Sequence, residues 1–557
     1  MKIVIENVSD GEILTYPILL IRGKIDNVDA EALGEENNGS FNSKHSIFLT
    51  HTSNKQGSNK EHLQTIPVTY FGETIAKFKF LVQLKVGINK ISLEYFRIRR
   101  SVTISFEPPY ARQSHQVKLL YIICADSEGN FQSPNEEGEE SLNKNGHKEG
   151  QPNVRNDVNS AKKRISLAGA IIQSLLAESL EVHGLERKTI QFYNDLSEQS
   201  NNKIDDHEVY PETYVFKSNL YTKEVYNMNQ RELWEHHAKE IIASEQNDFL
   251  KRNIKVKYLA IHSATRYCNT SKAVPRDHAH VLSLTKGYAS IGGGDFALLG
   301  SGCLYTWPEQ MSDVIPTFYN TTEVDVTTVM DDSAYRKTIG GSYATTLGAV
   351  IHELGHTFDL GHASNGFMAR GFDDVDRFFT LSNDRANYRN AAKKSSSLMC
   401  CMSSALVRFD SSPFHCPPSP LWPNTQASRL KGTNYLEEYQ QKQYYRKMIM
   451  EFGSAYWDKS SALILSSHKW FNLSSSTDDT SQKISYFDDT KQVCSENSDI
   501  VVLELRDGSG NILDFVDFTS QNDCQFIDLN PYIDQLGSKL KTILCINYDG
   551  YMLKQQI

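Results

Sequence analysis

The chain has 557 residues, 39% of them hydrophobic and 10% aromatic, and a formal net charge of -10. That length exceeds one hydrophobic core, so about two to four domains are expected. The acidic balance argues against nucleic acid or an anionic membrane surface as the main partner, because both demand a basic face.

The first ten residues carry Lys2, Glu6 and Asp10 and hold no unbroken apolar run, so no signal peptide is read there. No stretch of 18 apolar residues occurs anywhere, which argues against a membrane span and leads to a cytoplasmic expectation. Nine cysteines, an odd number without any CxxC pair, read as reduced and mostly buried thiols, the vicinal Cys400 and Cys401 included.

Residues 1–112 read as β structure. Short apolar runs (Ile13 to Arg22, Ser46 to Thr50, Ala76 to Leu84, Val86 to Phe96, Ser101 to Phe106) alternate with polar turns and stop before Pro108 and Pro109. Strands in that number without helices suggest a β-sandwich.

A second unit, 113–425, opens on Val117 to Ala125, apolar enough for a central strand. The polar stretch from Ser127 to Ser160 holds too few large apolar residues to order itself, and is read as a disordered insertion over about 127–160. A helix is predicted from Ala161 to Val182, closed by Gly184, and a second from Gln230 to Lys251. Thr189 to Tyr193 and Ile254 to Ile261 read as strands, so helices covering a sheet are expected.

Gly292, Gly293 and Gly294, with Gly300 and Gly302 beyond, match neither a dinucleotide fingerprint nor a P-loop. They suit an edge strand whose backbone approaches something closely, beside a substrate groove. The pair His278 and His280 is weighed as a second metal site and set below ordinary loop histidines.

Ala349 to His362 is the stretch on which function turns. His352 and His356 are four residues apart, one turn along a helix, so both imidazoles reach one ion. Glu353 projects roughly 100° away, beside the ion, where it can hold a water. His362 follows after a glycine that could end the helix. Three nitrogen ligands and an open fourth position form the ligand set of a catalytic zinc, one ion, not of a structural one. Such an ion would lower the pKa of its water to about 7, with Glu353 as general base. Ser342 is the expected N-cap, and Tyr343, Leu347, Val350, Ile351 and Leu354 supply the packing face. Asp359, Asp373 and Asp374 are candidates for orienting the histidines.

The stretch resembles the HExxHxxGxxH motif of the metzincin metallopeptidases. It departs from it at Asp359, which stands where the motif has glycine, with Gly361 two residues later. The resemblance implies a methionine turn after the third histidine; Met368 is nearest, with Met399 and Met402 behind it. More closely, Glu6 to Glu12, Gly300 to Pro308, the histidine helix and Met368 to Asp374 are similar to a eukaryotic zinc metallopeptidase family, over about residues 1–420. Some members of that family carry a lectin-like β domain at the C-terminus.

The last part, 426–557, reads as an aromatic-rich helix from Tyr435 to Glu451 and then a small accessory β domain. Its strands are expected at Ile500 to Leu505, Asn511 to Phe518 and Lys541 to Ile546, with turn signals at Asp507-Gly508 and Ser509-Gly510. The fold expectation is a multidomain α+β protein: N-terminal β-sandwich, central mixed α/β metzincin-like unit, small C-terminal β domain. The functional expectation is a zinc endopeptidase with a polypeptide substrate, the β domains being open to protein or glycan docking. The alternatives are a non-catalytic binding or scaffold protein and a zinc hydrolase of some other amide.

Overall fold

The computed structural model describes residues 1–28, 46–55, 58–70, 74–109, 114–134, 154–194, 210–381, 435–472, 484–496, 498–521 and 523–557. Met399, Met402, Cys400 and Cys401 lie outside the described residues. The architecture is mixed α/β with several sheets.

Nine strands open the chain: β1 (Lys2–Ile5), β2 (Glu12–Leu14), β3 (Ile18–Asp26), β4 (Ser46–Lys55), β5 (Ser58–Pro67), β6 (Thr69–Tyr70), β7 (Ile75–Gln83), β8 (Gly87–Tyr95) and β9 (Ile98–Phe106). They form two sheets, ordered β1-β3-β7-β6 and β2-β9-β8-β4-β5. The inward residues of both (Leu19, Ile21 and Phe78 from one; Leu49, Ile91 and Ile104 from the other) share a single core, which makes the pair a sandwich. Ile18, Leu20 and Leu81 point the other way, into the central core. Burial on both faces explains the apolar run Ile18 to Ile21 that opens β3.

The central sheet contains β10 (His115–Ile123), β11 (Thr213–Lys217) and β12 (Lys255–His262), with β15 (Ser290–Gly293) and β16 (Phe296–Gly300); β13 (Arg266–Tyr267) and β14 (Thr285–Lys286) form a separate ribbon. Its order is β11-β10-β12-β16-β15, parallel throughout except for β15, the antiparallel edge strand. Alternate residues face opposite layers. Leu119, Tyr121, Leu259 and Ile261 pack under α1 (Val158–Val182), while Leu120, Ile122, Tyr258 and Ala260 pack on α2 (Gln230–Lys251).

Helix α1 begins one turn's fraction earlier than the periodicity predicts, because Asp157 caps it by accepting from the Ser160 amide. It ends at Gly184 (φ +73°), with the Leu185 amide reaching the Leu180 carbonyl. The segment read as a disordered insertion is packed at both ends. Phe131 is fully buried in the core, and Gln132 donates to the Tyr267 carbonyl across 3.1 Å; residues 135–153 lie outside the described set. Among the described residues α1 is the one helix long and apolar enough to cross a membrane, and 83% of its apolar window is buried inside the protein.

Short helices α3 (His278–Ser283) and α4 (Met311–Phe318) precede α5 (Ile339–Thr357), which carries the histidine motif. Its N-cap is Thr338, accepting from the Gly341 amide, and not Ser342. Ser342 lies inside the first turn with its hydroxyl buried, because Gly340 and Gly341 continue the helix towards its start instead of forming a linker.

After α6 (Tyr435–Phe452) comes α7 (Lys459–Ser467), capped by Asp458, a helix hidden in sequence by its serines. Two final sheets are ordered β17-β18-β21 (Ile484–Phe487, Gln492–Ser495, Phe526–Asp528) and β20-β19-β22-β23 (Ile512–Asp517, Ile500–Arg506, Thr542–Asn547, Met552–Gln556). Leu503, Leu505, Ile543 and Cys545 line the core between them, whereas Val502, Leu544 and Ile546 belong to the central core. This terminal sheet is therefore buried on both faces.

Candidate metal centre

Leu347, Val350, Ile351 and Leu354 anchor one face of α5 in the core, which turns His352 and His356 towards the open side. The Nε2 atoms of His352 and His356 lie 3.1 Å apart, and those of His356 and His362 also 3.1 Å. Tetrahedral ligands about 2.05 Å from a zinc would be separated by roughly 3.3 Å. The three side chains form the one cluster among the described residues whose donor atoms all lie within 4.8 Å of one another.

The helix is stopped by a left-handed residue. Asp359 has φ +61°, its amide bonds to the His356 carbonyl, and the next amide, of Leu360, bonds to the Gly355 carbonyl. That is the Schellman pattern with aspartate in the glycine position. The chain then turns His362 back beneath its partners. Asp359 also accepts from Lys554 of β23 at 2.8 Å.

Backbone carbonyls orient the rings. His352 Nδ1 lies 2.8 Å from the Phe367 oxygen and His356 Nδ1 3.0 Å from the Leu360 oxygen. A proton on each Nδ1 donates there and leaves the Nε2 lone pair facing inward. The aspartates proposed from sequence serve elsewhere: Asp359 pairs with Lys554, Asp373 accepts from Arg370, and Asp374 accepts from the Ser454 amide. Burial depresses all three imidazoles below the usual histidine range, His356 to about 4, so each is neutral at pH 7 as a ligand must be.

Glu353 is 2% exposed. Burial pushes its carboxyl up to about 8, while the Ser290 hydroxyl and the Gly292 amide pull it back. Ser290 donates to Oε1 at 3.2 Å, and Oε2 is buried without any partner. An orphaned carboxylate oxygen on a residue that lines the same groove as His356 and His362 is the polar environment expected around a cation and its water. The residues present fit a zinc ion.

The glycine-rich strand does approach something closely. A Cβ on Gly292 would lie 1.9 Å from the Glu353 carbonyl, so β15 rests directly on α5. A groove of about 400 Å³ is lined by this strand and by the Arg506–Gly510 turn between β19 and β20, with Arg231 and Lys554 also in its lining. A larger cleft of about 690 Å³, between α2 and Trp470, touches this groove only at Asp359.

Met368 is fully buried, its sulfur packed against Gly355 of the histidine helix, and its carbonyl accepts from Ala363. His278 and His280 stand apart from the cluster: His278 faces Asp332 at 3.5 Å, and His280 Nδ1 accepts from the Arg276 amide. Ser290, the two orienting carbonyls and the C-terminal turn escaped sequence reading. Only the Gly292 run and the Asp507-Gly508 turn signal pointed towards them.

The fold and this cluster define a class, a mixed α/β protein with a histidine triad that could hold a metal ion and a buried glutamate next to it in the chain. The chain belongs to the family described as "Putative peptidase family", which matches residues 2–448. It is 24% identical over 343 residues to a "Putative zinc metalloproteinase" of Saccharomyces cerevisiae, covering 58% of this chain and 45% of that one. A second relative of the same description, from Schizosaccharomyces pombe, is 20% identical over 269 residues, covering 47% of this chain and 38% of the relative. The aligned part thus spans less than half the length of these curated relatives. No solved structure matches the chain.

Proposed function

We propose that this protein is a zinc-dependent endopeptidase of metzincin type, with His352, His356 and His362 as ligands, Glu353 as general base and Met368 as the methionine turn. The observation that carries the reading is the convergence of three Nε2 atoms at a groove that Glu353, its Oε2 buried and unpartnered, also lines. Membership of a peptidase family and the names of the yeast relatives support it.

Zinc, when bound, would acidify a water and polarise the scissile carbonyl. Glu353 takes the proton of the attacking water on Oε2 and returns it to the leaving amine. Ser290 holds the other oxygen, fixing the carboxylate plane. Phe367 and Leu360 hold the imidazole planes. Strand β15 and the Arg506–Gly510 turn form the two walls between which a polypeptide would lie.

The test pairs metal analysis with a proteome-wide cleavage assay on wild type and Glu353→Gln. Stoichiometric zinc in both, with cleavage by wild type alone and a loss of at least about a hundredfold in the variant, is expected. Zinc without cleavage by wild type would favour a binding or scaffold protein, and absence of zinc sinks the reading.

A further inference from the structure

The third histidine is not held by the unit that bears the motif. Beyond Asp359 the chain runs alongside the start of β20, and His362 pairs with Asn511 as an isolated parallel bridge. The His362 amide donates to the Gly510 carbonyl at 3.1 Å, and the Ile512 amide donates to the His362 carbonyl at 2.8 Å. Both main-chain groups of this residue are thus bonded to the C-terminal β-sandwich.

The fit on either side is close. A Cβ on Gly361 would stand 2.9 Å from Arg506 Nε and 2.9 Å from the Gly510 oxygen. The glycine absent at position 359 therefore recurs at 361, where the sandwich needs the space. Arg506 is itself locked, buried and paired with Glu504. The turn is built by Asp507, whose Oδ1 accepts from the Ser509 and Asn511 amides (2.8 and 2.9 Å) and whose Oδ2 accepts from the Asn511 side chain. The family match ends at residue 448, before the first strand of this sandwich at Ile484. The metal centre therefore draws on a part of the chain outside that match.

The geometry points to the Asp507–Asn511 turn as the positioning element for His362, which makes the C-terminal sandwich a working part of the metal centre and not an appended docking module. The inference rests on the zinc reading above. Two histidines on a rigid helix are preset by its geometry, but the third sits on a loop and needs an external template. A template on a separate sandwich lets anything that shifts that sandwich change metal affinity.

The test uses the full chain as wild type, Asp507→Ala, Asp507→Asn and Gly361→Ala. Each is stripped of metal and titrated with zinc against a chelator, and its cobalt-loaded form is examined by visible absorption, which reports ligand geometry. Asp507→Ala and Gly361→Ala should weaken zinc at least about tenfold and alter the cobalt spectrum. Asp507→Asn keeps an acceptor oxygen for the turn amides and should recover most of the affinity. Exchange of the His362 and Ile512 amides in metal-free protein should be slow in wild type and fast in Asp507→Ala. Equal zinc affinity and cobalt spectra in all four proteins overturn the inference while leaving the peptidase reading intact. Failure of wild type to bind zinc removes both.

Discussion

Asp359 shows what a single side chain can and cannot change in a metal motif. A helix that must reverse within one residue needs a left-handed conformation, and glycine adopts it without steric cost. Aspartate tolerates it better than most side chains, and here the carboxylate gains Lys554 as a partner. Both groups of that pair are about half exposed, so the pair itself contributes little. Asp359→Gly should therefore leave the urea midpoint close to wild type. Asp359→Val, branched at Cβ, should lower stability by about 1–2 kcal/mol and weaken metal binding, measured by urea unfolding and chelator competition. The turn needs a residue able to enter the left-handed region, and glycine is one solution.

At the scale of elements, the site is a sandwich of α5 between β15 and the loop that carries Met368. Gly292 decides how closely β15 can lie, since any side chain there meets the Glu353 backbone. Gly292→Val should force strand and helix apart, costing about 1–3 kcal/mol in unfolding experiments and displacing Ser290 from Glu353. Peptide cleavage should fall more than zinc affinity does, because Gly292 and Ser290 contact Glu353 and not the histidines; equal losses of both would count against this division of labour. Helix α7 teaches a related point. Asp458 and the serines after it satisfy one another at the N-terminus, and Ala462, Leu463, Ile464 and Leu465 fill the space under β19. Composition alone marks that stretch as polar, and the cap gives it away only once the partner sheet is known.

At the scale of the molecule, both outer sandwiches bury apolar side chains in the central core (Ile18, Leu20 and Leu81 from the first) and differ in their polar contacts. The N-terminal one uses a buried polar network in which Glu178 of α1 accepts from Tyr16, Asn7 and Arg187 at 2.7, 2.8 and 3.0 Å. The C-terminal one uses apolar burial of Val502, Leu544 and Ile546 together with the His362 bridge. Two histidines lie along this second seam. His115 packs edge-on against Trp470 and His468 against Phe358. Burial first, and then Lys255, Lys257 and Lys469, lower His115 to about 4; burial and Lys257 lower His468 to about 3, against a smaller opposing pull from Asp359.

Folded pKa values below the unfolded value of about 6.5 mean that the unfolded chain binds more protons as pH falls. Their contribution is complete above about pH 6.5 and is lost as pH drops from about 6.5 through about 4 for His115 and about 3 for His468. The unfolding temperature of the metal-free protein should decline across that window. The slope should flatten in a His115→Gln, His468→Gln double variant, and an unchanged slope would assign the acid sensitivity to other groups.

The order of strands and helices could be read from periodicity because each element's own residues carry it. Ile165 to Leu180 recur at helical spacing, and Val117 to Cys124 run as a central strand. His352, Glu353 and His356 were legible for the same reason, their geometry being set by one helix. His362 was named as the third ligand from its spacing, but what holds it was not legible, since it is bonded to Gly510 and Ile512, about 150 residues away in the chain. The Phe367 and Leu360 carbonyls were hidden because every residue has a carbonyl and only tertiary folding aims one. Sequence by itself determined the local chemistry: which side chains could meet an ion and on which element. Tertiary structure alone decided that a distant β-sandwich closes the groove and holds the third histidine, because backbone hydrogen bonds between remote segments leave no mark in the side-chain pattern.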